Sequence, residues 1–267
     1  MNKKKELLTI KKKILSATSK ANKDFSMIEN NDFIMVCISG GKDSYTMLDM
    51  IIHFQKYGKT KFDFIVVNMD QKQPDFPVNI LPNYLSQLKL NFKIIEKDTY
   101  SIVKEKIPAG KTMCSLCSRL RRGTLYDYAR ELGCNKIALG HHMDDIIETY
   151  FLNLFFSGKM EAMPAKYLID KGDLMVIRPL SYCKESDIET YSKIMDFPII
   201  PCNLCGSQTN LQRQKIKQLI KDWEINYPNR KAIIFRSLQN ISPSHLLDRK
   251  IYNFQKLTPL EDANLLV

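Results

Sequence analysis

DFIMVCISGGKDS, residues 32–44, is the stretch on which the fold reading turns. Residues 32–39 form a continuous apolar run of strand length with no polar alternation. Such a run suits a strand buried on both faces of a parallel sheet. Gly40 and Gly41 follow, and then Met47, Leu48, Met50, Ile51 and Phe54 recur at helical spacing. A strand, a glycine turn and a helix make up the repeating unit of an α/β sheet. The turn falls at the carboxyl end of the strand, where ligands of such sheets bind.

Four more runs match the first: FDFIVVNM (62–69), NFKIIEKD (91–98), NKIALG (135–140) and LMVIRPL (174–180). Helical patterns lie between them, in PVNILPNYLSQLKL after Pro77, over 115–132 up to Gly133, and over 144–156. This alternation predicts an α/β fold with a parallel sheet, helices on both faces and right-handed crossovers. In residues 3–22, Leu7, Leu8, Ile10, Ile14 and Leu15 sit among lysines, the pattern of an amphipathic helix that covers part of the core. After Pro198 a cysteine-bearing loop leads into a basic helix. Residues 228–267 are less periodic and contain Pro228, Pro243 and Pro259. The expected division is a basic N-terminal helix (1–25), a sheet domain (26–197) and a C-terminal extension (198–267).

Apolar residues make up 44% of the 267 and charged residues 26%, which excludes a disordered or collagen-like chain. No apolar run reaches the roughly 18 residues of a membrane span. The start, MNKKKELLTIKKKIL, lacks the long apolar core and small-residue cleavage site of a secretory signal, so a cytoplasmic protein is expected. The net charge of +11 is concentrated at the ends. Residues 1–24 hold eight lysines against Glu6 and Asp24, and residues 211–250 hold nine Lys/Arg against three acids. Both a polyanionic partner and two solvated basic faces fit that distribution. Seven cysteines, an odd number, argue against a disulfide framework. Cys37 and Cys134 read as small core residues, and Cys183 is open.

The chemistry of residues 39–44 suits a phosphate. Two glycines let the backbone approach closely, the helix start offers free N–H groups, and Lys42 adds a cation. Asp43 repels a phosphate unless Mg²⁺ lies between them. The spacing is neither G-x-x-x-x-G-K-[ST] nor G-x-G-x-x-G, and by composition alone a plain tight turn fits as well. Leu139-Gly140-His141-His142-Met143-Asp144-Asp145 follows the fourth strand, with Glu148 and Thr149 a helical turn on. Packing at a helix start also accounts for the histidines, and capping or dipole complementation for Asp144 and Glu148. Cys114 and Cys117 precede Arg119, Arg121 and Arg122; 84 residues separate this pair from Cys202 and Cys205. Structural zinc, an iron–sulfur cluster and two reduced pairs all fit that spacing.

SGGKDS after a hydrophobic strand resembles the PP-loop of the ATP pyrophosphatase superfamily, which carries a G-H-x-x-D-D-x-x-E-T segment where this chain has residues 140–149. With CSLCSRLRRG (114–123), LGHHMDD (139–145) and PCNLCGSQTNLQRQ (201–214), the chain is similar to the tRNA-cytidine 2-sulfurtransferase family over roughly residues 10–255. The resemblance implies a Rossmann-type, adenine nucleotide alpha hydrolase-like domain. It implies ATP held by Ser39, Gly40, Gly41, Lys42, Asp43, Ser44, Gly140 and Asp145, with Lys42 and Asp43 catalytic and Mg²⁺ on Asp43. It implies thiolation of C2 of cytidine 32 in the tRNA anticodon loop, through AMP transfer to the C2 oxygen. It assigns a [4Fe–4S] cluster to Cys114, Cys117 and Cys205, with Cys202 a neighbour and one iron left open for sulfide. A cysteine desulfurase as sulfur source and a homodimer follow from the same resemblance. Arg119, Arg121, Arg122, Arg213, Lys215 and Lys217 are the candidates for RNA contact. The relatives that make 2-thiouridine carry zinc modules at the chain ends; here no cysteine precedes 37 or follows 205. Two other classes stand beside this reading. A PP-loop ligase of the lysidine type needs no such cysteine set. A non-catalytic, zinc-stabilised RNA-binding protein leaves SGGKDS and LGHHMDD without a purpose.

Overall fold

The computed structural model describes residues 3–73, 76–106, 114–200 and 210–257. Its centre is a six-stranded sheet: β1 (Phe33–Cys37), β2 (Asp63–Asp70), β3 (Phe92–Glu96), β4 (Lys136–Ala138), β5 (Lys166–Leu168) and β6 (Met175–Ile177). The order is β3-β2-β1-β4-β6-β5. β1 lies in the middle, with Ile34 paired to Phe64 on one side and to Lys136 on the other. All pairings are parallel except that of edge strand β5 with β6. The five strands expected from the sequence are therefore present, and β5 is an addition. Its three residues are too few to show a period.

Pleating sends alternate side chains to opposite faces. Ile34 and Val36 join a cluster with Val66, Ala138 and Ile177, covered by α1 (Lys3–Phe25), α2 (Lys42–Tyr57), α3 (Ile80–Gln87) and α7 (Glu185–Met195). Met35 joins Ile65, Val67, Ile137 and Val176 on the other face, under Leu125 and Ala129 of α5 (Cys114–Glu131). Cys134 and Cys183 are buried and Cys37 is half-buried at the end of β1. Cys183 is a core residue: its sulfur lies 3.4 Å from the Thr18 hydroxyl, and burial pushes its thiol up to about 12. A third cluster joins α6 (Met143–Phe156) to α8 (Asn210–Asn226) and α9 (Arg230–Ser237) through Met143, Ile147, Phe151, Ile216 and Ile220. α4 (Thr99–Lys106), α7 and α9 were not legible as helices in the sequence. Among the described residues no helix is long and apolar enough to cross a membrane.

The strand order decides where a ligand can go. From β1 the chain moves outward through β2 and β3, then returns to place β4 on the other side of β1. The loops after β1 and β4 therefore diverge at a topological switch point, which opens a crevice at the carboxyl ends of the strands.

Helix α1 belongs to this core. Ile14 is 1% exposed, and Lys11 and Lys13 reach Asp49 of α2 and Asp187 of α7 at 2.9 and 2.7 Å. Ile14→Ala is expected to lower the stability of the whole domain by about 2–4 kcal/mol, seen as an earlier urea midpoint. An unchanged midpoint would mean that α1 is dispensable.

Candidate active site

The loop after β1 is built around two glycines. Gly40 has φ +82°, and a Cβ there would lie 2.7 Å from the Ile200 side chain. Its carbonyl accepts the Ile200 N–H at 2.9 Å. The Gly41 carbonyl accepts from Ser44 Oγ at 2.8 Å, and Ser44 Oγ accepts from Ser39 N at 3.2 Å. Ser44 thus clasps the loop into one turn. Gly41 caps α2 without a side chain, so the first-turn N–H groups face the crevice with no side-chain cap. Together with the helix dipole they form an anion site.

The loop after β4 meets this turn at close range. A Cβ on Gly140 would lie 3.1 Å from both the carbonyl carbon of Asp43 and the nitrogen of Ser44. Two residues on, His142 caps α6. Its Nδ1 accepts from Asp145 N at 3.3 Å, while its own N–H donates to Asp145 Oδ2 at 3.1 Å. The His142 Nε2 lies 3.6 Å from Asp43 and 3.4 Å from Asp145. Asp43 and Asp145 are therefore neighbours around one imidazole. Among the described residues no set of three His, Cys, Asp or Glu side chains assembles as a metal site. Two carboxylates completed by nucleotide phosphates nevertheless match the hard oxygen donors that Mg²⁺ takes.

Lys42 pairs with Asp43 at 3.0 Å and with Glu185 at 3.2 Å. Glu185 opens α7 and had no place in the sequence reading. Its signal was a pair of acids, Glu185 and Asp187, in the first turn of a helix. Burial works to raise its carboxyl, but bonding to Lys217 and the charge of Lys42 hold it down at about 2. Asp144 accepts from the Glu185 N–H at 2.8 Å and from Lys231 at 2.7 Å, so it ties α6, α7 and α9 together rather than facing a ligand. Burial raises the Glu148 carboxyl, against the pull of Arg213. Arg213 stands 3.7 Å from Asp145 and 3.8 Å from Glu148, and donates to Thr149 at 3.4 Å.

Of the six basic residues expected at the RNA, Arg119, Arg121, Arg122 and Lys215 are exposed. Arg213 and Lys217 turn instead toward the carboxylates of the site. Cys114 and Cys117 fall in the first turn of α5. That helix runs back along the sheet before entering β4, so its first turn lies toward the same edge as the glycine loop. Cys202 and Cys205 lie outside the described residues.

These features define the class. A PP-loop domain model matches residues 9–223. The chain is 66% identical to the tRNA-cytidine(32) 2-sulfurtransferase of Cytophaga hutchinsonii, covering 89% of this chain and 83% of the relative. It is 57% identical to the enzyme of the same name from Pseudomonas aeruginosa PAO1, over 95% and 93%. The chain belongs to the tRNA-cytidine(32) 2-sulfurtransferase family of PP-loop proteins. Its fold is similar to that of the U34-tRNA thiolase NcsA from Methanococcus maripaludis, a structure with its [4Fe–4S] cluster. The TM-score is 0.67 at 20% identity, over 85% of this chain and 79% of that one.

His141 supplies a test of the site's electrostatics. Burial first, and the charge of Arg178 second, lower it to about 4 from 6.5. Arg178 donates to its Nδ1 at 3.3 Å. The unfolded chain therefore binds a proton between pH 6.5 and 4 that the folded chain refuses. Stability is expected to fall by roughly 2 to 3 kcal/mol as pH drops through that window, and His141→Asn is expected to flatten the slope. Urea midpoints at pH 7, 5.5 and 4.5 measure this. Equal slopes for both proteins would refute the assignment.

Proposed function

We propose that this chain is an ATP-dependent tRNA-cytidine 2-sulfurtransferase that acts on cytidine 32 of the anticodon loop. The observation that carries the reading is the junction at the switch point. There a glycine turn, Lys42 and two carboxylates, Asp43 and Asp145, meet at an open helix N-terminus in a member of this family. The lysidine-type and non-catalytic readings give way to that membership.

The C2 oxygen of cytidine is a poor leaving group. Its attack on the α-phosphorus of ATP forms an O2–P bond and breaks the bond to pyrophosphate, and AMP then leaves when sulfur takes the carbon. Positioning and charge neutralisation supply most of the catalysis in such a transfer. The α2 N–H groups and Lys42 hold the polyphosphate, with Ser39, Gly40, Gly41 and Ser44 shaping the turn. Asp43 holds Mg²⁺ against it, and Asp145 stands beside Asp43 as the second carboxylate. Gly140 gives the two loops their close contact. Cys114, Cys117 and Cys205 are the thiolates that hold a [4Fe–4S] cluster, which when bound supplies the sulfur-delivery chemistry. Soft thiolates in an i, i+3 pair suit such a cluster. A single-stranded loop base splays readily into a pocket, and the exposed Arg119, Arg121, Arg122 and Lys215 suit tRNA phosphates. The proposal includes a cysteine desulfurase as sulfur source, a homodimer and a cytoplasmic location.

Two experiments bear on this. Asp43→Asn keeps the side-chain shape but removes the charged Mg²⁺ ligand. It is expected to fold normally and to lose adenylation by a factor of at least about 100, roughly the scale on which a preorganised electrostatic group acts. Near-normal 2-thiocytidine formation by a folded Asp43→Asn protein would sink that role. For the cluster, Cys114→Ala, Cys117→Ala, Cys202→Ala and Cys205→Ala are purified without oxygen and iron and sulfide are counted. Cys202→Ala is expected to keep four irons and the other three to lose the cluster or leave it incomplete. Loss in Cys202→Ala equal to that in Cys205→Ala would mean four cysteine ligands.

A further inference from the structure

Lys217 carries a positive charge in the basic helix α8, yet its ammonium is engaged by a carboxylate of the candidate site. Ile216 and Ile220 pin α8 against Met143, Ile147 and Phe151 of α6. Arg213 and Lys217, four residues apart, share the stripe beside that seam and face the starts of α6 and α7. The Lys217 ammonium donates to one Glu185 oxygen at 2.8 Å and lies 2.7 Å from the other. The oxygen at 2.8 Å also accepts from Lys42 at 3.2 Å. The PP-loop lysine and Lys217 therefore share one carboxylate oxygen, beside the uncapped N-terminus of α2. The Glu185 side chain is only 13% exposed and faces two ammonium groups, while Lys42 also meets Asp43. The Lys217 side chain is 52% exposed, and an ammonium has three N–H groups, so Glu185 leaves it with a donor to spare.

We propose that Lys217 is a nucleotide-site residue. Its ammonium, placed beside Lys42 by Glu185, binds the polyphosphate of ATP rather than a tRNA phosphate. This rests on the reading of residues 39–44 as an ATP site, and it deepens that reading: the C-terminal extension completes the site. Glu185 is then a positioning residue for both lysines. A carboxylate less than 3 Å from Lys217 weakens its pull on the diffuse phosphate array of an RNA. It costs less for a polyphosphate docked on α2 and Lys42, which would accept a direct, short-range hydrogen bond from the remaining N–H.

The test uses the full-length protein and needs no tRNA chemistry. Titration calorimetry measures MgATP affinity for wild type, Lys217→Met, Lys217→Arg, Glu185→Gln and the Lys217→Met/Glu185→Gln double variant. tRNA affinity is followed against salt for wild type and Lys217→Met. Lys217→Met is expected to weaken MgATP about tenfold, the scale of one charge-assisted hydrogen bond, with Lys217→Arg regaining most of it. The Lys217→Met loss is expected to shrink in the Glu185→Gln background, because the ammonium is no longer positioned there. The tRNA salt slope is expected to stay at the wild-type value. A slope lower by about 0.7–0.9 with wild-type MgATP affinity would instead make Lys217 an RNA phosphate contact. Wild-type values in both assays would reduce it to an ion pair and overturn the proposal as well. Failure of the wild-type protein itself to bind MgATP would strike the ATP-site reading, whereas indifference of the variants alone strikes only the role of Lys217.

Discussion

Where the loop after β4 crosses the start of α2, the two backbones are in close contact: a Cβ on Gly140 would stand 3.1 Å from the Asp43–Ser44 peptide, which would have to give way by a few tenths of an ångström. That contact sets the distance between the two halves of the site. It brings His142 to within 3.6 Å of Asp43, and His142 is in turn fixed by its reciprocal bonds with Asp145. The capping box of α6 and the glycine turn before α2 are therefore in direct contact. A side chain at 140 would press on the Asp43–Ser44 peptide, since the contact is backbone to backbone.

Three helices, α2, α6 and α7, start at this unit. Each brings its positive dipole end; His142 and Asp144 take up first-turn N–H groups of α6 and α7, while those of α2 have no side-chain cap. Left alone, that convergence would be an unselective trap for anions. The first-turn acids Asp43, Asp145 and Glu185 offset it, and Lys42, Arg213 and Lys217 offset them in turn. The result is a chain of alternating charge that runs from Asp43 through Lys42 and Glu185 to Lys217, with Arg213 between Asp145 and Glu148. Glu185 shows what this does to chemistry. Held at about 2, it is a fixed anion and not a proton donor. Such an arrangement of fixed charges suits positioning rather than proton transfer, in keeping with a PP-loop domain.

Much of this was legible in the sequence, for identifiable reasons. Strands buried on both faces leave continuous apolar runs, so β1, β2, β3, β4 and β6 stood out. The glycine turn and the LGHHMDD segment stood out because close backbone approach and helix starts restrict residue choice locally. β5 was too short to carry a period. α7 was missed because its apolar side chains are few: Ile188 and Tyr191 are the buried large ones, and polar residues surround them. Glu185 was lost with it. Nor does spacing show which way a lysine points. Lys215 and Lys217 are equivalent in composition, but the seam of Ile216 and Ile220 turns one to solvent and the other to Glu185.

The C-terminal extension is held to the PP-loop at more than one point. Ile200, the last described residue before the LCGSQ segment, donates its N–H to Gly40 and fills the space that a side chain at Gly40 would need. On the far side of the segment α8 begins, and within its first turns Arg213 reaches Asp145 and Glu148. The chain thus leaves from the phosphate turn and returns to the second carboxylate. The left-handed backbone of Gly40 serves two ends at once, since it both shapes the turn after β1 and seats Ile200. A substitution there would strain the loop and push off the strand of chain that leads to Cys205. The turn after β1 and Ile200 are for this reason coupled through a single glycine, and a side chain at position 40 would disturb both.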